Sequence, residues 1–374
     1  LVDVTQILHA EPSVGRLHNR LTHSLKVAQI ARSVAERFDD ALFADPDVCE
    51  AAGLAHDLGH PRYGHLGEAT LDEELVQRGL CGYEGNAQAF RVLTKLAVHN
   101  PIRPGLNLTR ATLNATLKYP FVRSDAAAGG ARGVYPSERD QFEFATDGVG
   151  PLPGAETAIV EWADDISYAL HGFDDFYRAG LVRLDEFLDA DIDALAQEVT
   201  RRGEPGSFDS KLWRPAFENL RVAFSAPENA PLLSNFSGDR LQQGILRAVT
   251  SRLITEWLDS ADRRSNEFVV DPVVQHQVLL IKEFVYQRVI VRRMETARSQ
   301  QRERLRLQRL FSAIEEWIRR ETWERLPGGL RIALSVSLTD AEDPDFDAVG
   351  PRGVADFISQ MTESEAEHRE RQLV

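Results

Sequence analysis

Apolar positions in this chain recur mostly at three- and four-residue steps, the spacing of one buried stripe on a helix. Between Leu21 and Phe38, the residues Leu21, Leu25, Ala28, Ala31, Ala35 and Phe38 follow that spacing. A second segment, Asp47 to Leu58, runs through Val48, Ala51, Ala52, Leu54, Ala55 and Leu58, with Gly59 placed to end it. The same pattern predicts helices over 68–79, 84–98, 155–179, 184–202, 211–223, 239–260, 271–296, 300–325 and 351–370. Alternation of the strand type is scarce, and 330–337 (Leu-Arg-Ile-Ala-Leu-Ser-Val-Ser) is the best short candidate. The expected class is all-α, with little or no sheet.

Turn residues break the pattern at 124–134, 147–154, 224–238 and 339–353. None of these breaks resembles an inter-domain linker, and no internal repeat occurs. The economical organisation is one helical domain over 1–374: a core at about 1–180 plus 271–370, and a helical excursion over about 181–270.

Composition narrows the function classes. A chain of 374 residues buries a large core without disulfides. Its cysteines, Cys49 and Cys81, lack paired spacing, which points to a reducing compartment rather than a secreted disulfide scaffold. No apolar run of transmembrane length and no signal-peptide pattern is present, so a cytoplasmic location is expected. The first residue is Leu1, not Met, so a natural leader can be missing from this numbering. A formal net charge of −15 argues against wrapping nucleic acid on a general basic surface. The Arg-rich run 288–309 is the exception and reads as a solvated helix face. A small anionic substrate remains compatible, because a few local cations and a metal reverse the potential inside one pocket.

The chemical signal is a crowding of histidine. His18, His23, His56, His60 and His65 fall within the first 65 residues. One histidine alone is more often a hydrogen-bonded structural residue, but several together point to a site. His56-Asp57 closes an apolar helix, which would otherwise bury two polar groups unpaired at a cost of several kcal/mol. At a helix end an imidazole and a carboxylate can converge on one divalent cation. His23, at the start of the first helix, and Asp164, in Glu161-Trp-Ala-Asp-Asp-Ile-Ser-Tyr168, are the further ligand candidates. Of the adjacent Asp164 and Asp165, one is expected to be a solvated helix residue. No Gly-x-x-x-x-Gly-Lys-Ser/Thr loop and no Gly-x-Ser-x-Gly elbow is present, which disfavours a P-loop NTPase and a serine hydrolase.

The order His … His-Asp … Asp resembles the HD superfamily of metal-dependent phosphohydrolases. Arg20-Leu-Thr-His-Ser-Leu25, His56-Asp-Leu-Gly-His-Pro-Arg-Tyr-Gly-His-Leu-Gly-Glu68, Tyr83-Glu-Gly-Asn-Ala-Gln88, Thr116-Leu-Lys-Tyr-Pro120, Ala163-Asp-Asp-Ile-Ser-Tyr168 and Ala355-Asp-Phe-Ile-Ser-Gln-Met-Thr362 are similar to words of the bacterial deoxyguanosine triphosphate triphosphohydrolase family. The resemblance implies an HD-domain helical bundle in which His23, His56, Asp57 and Asp164 bind the metal. It implies that His65 is the catalytic histidine and Glu68 its acidic partner. Arg20 matches a phosphate contact and Tyr168 a residue against the deoxyribose. Gln6 resembles a glutamine that reads the sugar 3′-hydroxyl, and His60 and Asn86 fall on the substrate side. Two positions depart from the family: Gly172 stands where an Asp is common, and Arg62 where a Pro is common.

The resemblance further implies hydrolysis of a deoxynucleoside triphosphate to deoxynucleoside and tripolyphosphate, by a homo-oligomer commonly built as a hexamer. A mixed His and carboxylate set with open positions suits Mn²⁺, Mg²⁺ or Fe²⁺ better than a closed structural zinc. The rivals are an HD phosphodiesterase or pyrophosphohydrolase acting on another nucleotide, and a non-catalytic nucleotide sensor.

Overall fold

A computed structural model describes residues 19–38, 43–123, 132–148, 153–202, 208–288, 294–340 and 346–373. Gln6 and His18 lie outside the described residues, as does 124–131 within the first expected break. The first half comprises α1 (Arg20–Ala35), α2 (Pro46–Ala55), α3 (Gly64–Gln77), α4 (Gly85–Arg91), α5 (Arg110–Ala115), α6 (Arg139–Thr146) and α7 (Ala155–Arg178). There follow α8 (Leu184–Leu188), α9 (Ile192–Arg202), α10 (Ser210–Phe224) and α11 (Arg240–Asp259). A hairpin of β1 (Ala261–Arg264) and β2 (Glu267–Val270) then leads to α12 (Pro272–Tyr286), α13 (Met294–Arg320), α14 (Gly328–Asp340), α15 (Phe346–Ser359) and α16 (Glu363–Leu373). The class is all-α as expected. Among the described residues the hairpin is the only sheet, antiparallel with Ala261 opposite Val270.

Several local expectations are corrected. The strand candidate 330–337 lies inside α14, where Leu330, Ala333, Leu334 and Ser337 are buried at helical spacing. Its alternating pattern also satisfies a three- and four-residue period, and packing on α15 decides between the two. The break expected over 339–353 is largely helical: 339–340 ends α14, and α15 includes Pro351. The helix expected over 184–202 is cut between α8 and α9, where the Asp191 carboxylate accepts from the backbone N–H of Asp193 and Ala194 and starts a new helix. The helix expected over 84–98 ends as α4 and continues as a π-turn, Val92–Leu96. The hairpin, α5 and α6 had no expectation at all. Ser265 and Asn266, both at positive φ (50° and 69°), make the two-residue turn between β1 and β2.

Three apolar clusters fill the interior. The largest joins α1, α2 and α7 to α8–α12, centred on residues such as Val27, Ile166, Phe187, Trp257 and Phe284. A second packs α3 against α13–α16. A third gathers Ala55, Phe90, Leu93 and Leu113. Residues 52–71, which carry His56, His60 and His65, thread through all three: Ala52 lies in the first, Ala55 in the third and Leu71 in the second.

A buried polar knot ties the two ends of the chain together. Arg91, fully buried on α4, donates to Asp356 on α15 at 2.9 Å, to Glu138 at 2.6 Å and to Asp340 at 2.7 Å. Lys95 reaches Asp340 at 2.5 Å, and Gln88 donates to the other Asp356 oxygen at 2.9 Å. Such a network adds little net stability against an apolar replacement, but it specifies one register between the elements it joins.

The tightest helix crossing is that of α1 over α2. A Cβ on Gly53 would lie 2.7 Å from the Ala28 Cα and 2.9 Å from its nitrogen. Gly53→Ala gains about 0.5–1 kcal/mol of helix propensity, but overpacking against backbone costs about 1–3 kcal/mol. The variant should unfold at lower urea concentration, with a net loss of roughly 0.5–2 kcal/mol; a raised midpoint would show that the crossing gives way.

Candidate metal centre and active site

The buried face of α1 follows only part of the stripe that its apolar residues suggested. Leu25 is 51% exposed, whereas Arg20, His23 and Ser24 are buried with Val27, Ala28, Ile30, Ala31, Val34 and Ala35. Polar groups therefore occupy the inward positions of the first turns. They face the end of α2 and the middle of α7.

α2 stops at Ala55, and His56 occupies its C-cap with Nδ1 2.7 Å from the Gly53 carbonyl. That contact suits an Nδ1–H donor and leaves Nε2 to face the site. His23 Nε2 lies 2.9 Å from Asp164 Oδ1, and His56 Nε2 lies 3.7 Å from the same oxygen. The two imidazole centroids are 5.4 Å apart. One carboxylate oxygen aimed at two imidazole nitrogens is well satisfied when a cation sits among them, and ligand atoms from His23, His56 and Asp164 all lie within 4.8 Å of one another. Burial works to raise the Asp164 pKa, but the His23 hydrogen bond and the nearby imidazoles hold it well below the usual carboxylate range. The donor set fits a divalent ion.

Asp57, the fourth expected ligand, is oriented differently. Its Oδ2 accepts from Arg20 Nη1 at 2.5 Å, and its Oδ1 lies 3.0 Å from His60 Nδ1. Burial opposes its ionisation, yet His60 and Arg20 together keep its pKa well down, so it remains a carboxylate. It borders the triad closely enough to interact with the charges of both His56 and Asp164. His56 and Asp57 thus turn to different partners, as adjacent residues do.

Beyond His60 lies the second pair. Tyr63 (φ 65°) and Gly64 (φ 54°) turn the chain into α3, so that His65 and Glu68 sit at i and i+3 on one helix. His65 Nδ1 is 3.2 Å from Glu68 Oε2, and the Gly85 N–H donates to Glu68 Oε1 at 2.7 Å. His65 is 91% exposed while Glu68 is mostly covered. The Glu68 hydrogen bond pushes the His65 pKa up; burial opposes Glu68 ionisation, but His65, His60 and the Gly85 amide lower its pKa.

Other expected residues separate by role. Tyr168 is half-buried on α7, one turn after Asp164, with the Lys282 ammonium 5.7 Å from its ring centroid. Asp165 is the outward member of its pair, 2.7 Å from Lys282. Asn86 donates to Glu84 Oε1 at 2.6 Å, within the cap of α4. Gln88 is fully buried against Asp356 and holds α4 to α15. Arg62 is buried, stacked 4.1 Å from the Tyr63 centroid. Asp174, beside Gly172, pairs with Arg178 at 2.9 Å.

Two cations escaped the sequence reading. Lys118 faces the charges of Glu161 and Asp164, and Lys282 those of Asp165 and Asp164. Burial opposes both charges, but these acids raise both pKa values above the usual lysine range. Lys282 interrupts the apolar run Val278–Val285, a usable signal; Lys118 lies in a short loop after α5, inside the Thr116–Pro120 word, which marked the segment but gave the lysine no role. Ser167 was also missed: its buried hydroxyl lies 3.3 Å from His23 Nδ1 and 3.4 Å from His171 Nδ1.

Known proteins resemble this chain over most of its length. The HD domain family matches residues 20–102, and the phosphohydrolase-associated domain family matches 268–372. A deoxyguanosinetriphosphate triphosphohydrolase-like protein of Corynebacterium efficiens is 32% identical, over 99% of this chain and 86% of its own. One of Streptomyces coelicolor is 31% identical, over 93% and 81%. A third, of Mesorhizobium japonicum, is 42% identical over 49% of this chain and 44% of its own. Among the described residues, no helix is long and apolar enough to cross a membrane.

Asp164→Asn keeps the shape of the side chain and removes its charge. It should abolish retention of a divalent ion through dialysis, measured by elemental analysis, while the far-ultraviolet circular dichroism stays helical. Unchanged metal content in this variant would place the centre elsewhere.

Proposed function

From the premise that the chain belongs to the deoxyguanosinetriphosphate triphosphohydrolase-like family of HD-domain proteins, and so is a metal-dependent phosphohydrolase, we propose that it hydrolyses deoxynucleoside triphosphates to deoxynucleoside and tripolyphosphate. The observation that carries this reading is the juxtaposition of two groups. A His23–His56–Asp164 triad fit for a cation stands beside an exposed His65 backed by Glu68, with Asp57 and His60 between them.

A divalent ion in the triad, Mn²⁺, Mg²⁺ or Fe²⁺, supplies a polarised phosphoryl oxygen and a bound water of lowered pKa. Asp57, which borders the triad, would be the fourth residue to hold the ion, and the planar fork of its neighbour Arg20 suits a phosphate. Lys118 and Lys282 add positive charge along the same wall.

His65 is the general acid for the leaving oxygen. Its Nδ1–H donates to Glu68, which leaves Nε2 to carry the transferable proton. Glu68 in turn is held by the Gly85 amide, so the imidazole has a fixed support although it stands in solvent. The chain acts in a homo-oligomer, whose closed symmetry is the usual outcome for soluble enzymes.

Products of a metal-supplemented assay over a nucleotide panel test the reaction. Tripolyphosphate with free deoxynucleoside is expected; a nucleoside monophosphate or an opened cyclic dinucleotide would overturn the reading. His65→Ala should keep the metal and lose about 100- to 10,000-fold in kcat. A raised His65 pKa keeps the acid protonated to higher pH, so activity should fall as pH rises through that value. Glu68→Gln removes the supporting charge and should move that fall to lower pH; an unmoved basic limb would assign the acid to another residue.

Sugar selection follows from Tyr168. On α7 it follows the ligand Asp164 by one turn, so a sugar beside the bound phosphates packs against the ring. An added 2′-hydroxyl buried there without a partner costs ~1–3 kcal/mol, or roughly 10- to 100-fold in rate. dGTP should therefore be turned over faster than GTP by that factor, and Tyr168→Ala should narrow the ratio. Equal turnover of both by the unsubstituted chain would refute this role.

A further inference from the structure

We propose that His60, His65 and Glu68 form a second cation site, suited to Zn²⁺, and that its occupation switches the hydrolase off. The three side chains bring ligand atoms within 4.8 Å of one another, separately from the His23–His56–Asp164 centre. Two donors are built into the wall. The His60 side chain is only 15% exposed, with its Nδ1 beside Asp57, and Glu68 is 18% exposed and anchored through Oε1 by the Gly85 amide. Glu68 Oε2, which faces His65 Nδ1 at 3.2 Å, is the oxygen a cation would take in place of that contact. The third donor, His65, is exposed and adjusts freely.

Gly85 makes this possible. A Cβ there would stand 2.8 Å from His60 Cε1 and 2.9 Å from Nε2, so any other residue would push the ring out of the cluster. The absent side chain lets the α4 amide hold Glu68 while His60 lies against the same backbone.

Two imidazoles and one carboxylate, with a position open to solvent, are a donor set that zinc accepts in tetrahedral geometry. Mg²⁺ prefers an octahedral shell of oxygens, and Mn²⁺ binds nitrogen-rich sites more weakly than Zn²⁺. This set therefore favours zinc over Mg²⁺ or Mn²⁺, and the added carboxylate of Asp57 is what distinguishes the first centre. Its inhibitory effect rests on the proposed role of His65. An imidazole nitrogen committed to a cation carries no proton, and a Glu68 oxygen shared with zinc no longer supports the imidazolium.

The full chain loaded with Mn²⁺ is titrated with Zn²⁺ while both metals and turnover are measured. Uptake of one zinc ion per chain, retention of manganese, and loss of turnover in step with zinc are expected. His65→Gln changes an exposed side chain and should keep its fold; it should lose that zinc ion and still hold manganese. Zinc that displaces manganese one for one, zinc uptake unchanged in His65→Gln, or full turnover with the second ion bound would each overturn the proposal. The zinc count is independent of nucleotide hydrolysis, so a chain that binds the second ion but cleaves no deoxynucleoside triphosphate would reject the proposed substrate and leave the site standing.

Discussion

The contact of Gly53 with the backbone of Ala28 is the constraint on which the site depends. Helices crossing at ordinary separation, about 8–10 Å, would hold the end of α2 away from the first turns of α1. A bare Cα at the crossing lets the two backbones meet. His56, three residues later, then shares one carboxylate oxygen with His23, 33 positions earlier in sequence. α7 supplies that carboxylate because it packs against both helices. Three elements in mutual contact thus bring three candidate ligands together.

The polar half of the α1 face follows from the same geometry. Burying Arg20, His23 and Ser24 among helices is costly for groups without partners. Asp57 offsets the guanidinium, and Asp164 the His23 imidazole. Asp164 still presents one oxygen to both His23 and His56, a donor set that suits a divalent cation. The side chains that make the helix end poorly stable alone are those that make it a binding site, the usual exchange of local stability for function.

The C-terminal helices border the candidate site as well as support it. Arg91 and Gln88 clamp α4 to Asp356, and the first amide of α4 holds Glu68. From α12, Lys282 reaches the Asp165 carboxylate and lies over Tyr168. The segments matching the HD domain and the phosphohydrolase-associated domain are thus joined by the buried Arg91–Asp356 pair, while Lys282 of the second segment reaches α7, which lies between the two matches in sequence. The clamp is buried and multiply bonded, so it acts as a register pin more than as a source of net stability.

The sequence by itself determined the helical class, most of the long helices, and the histidine and aspartate words around the site. Those features are local: a 3.6-residue period and a run of neighbours can be read without knowing what they touch. It misread 330–337, where one apolar pattern fits two periods, and the α1 face, where functional polar residues displaced the apolar stripe. It held no hint of the Ser265-Asn266 hairpin turn, and it set Lys118 and Ser167 inside family-like words without showing what either touches. Only the tertiary structure decided that Asp164 faces inward and Asp165 outward, that Asp57 turns to Arg20 and His60, and that Gly85 opens a cluster for His60, His65 and Glu68. Each of those outcomes is set by contacts between residues far apart in the chain, where packing and charge pairing outweigh any preference that neighbouring residues express.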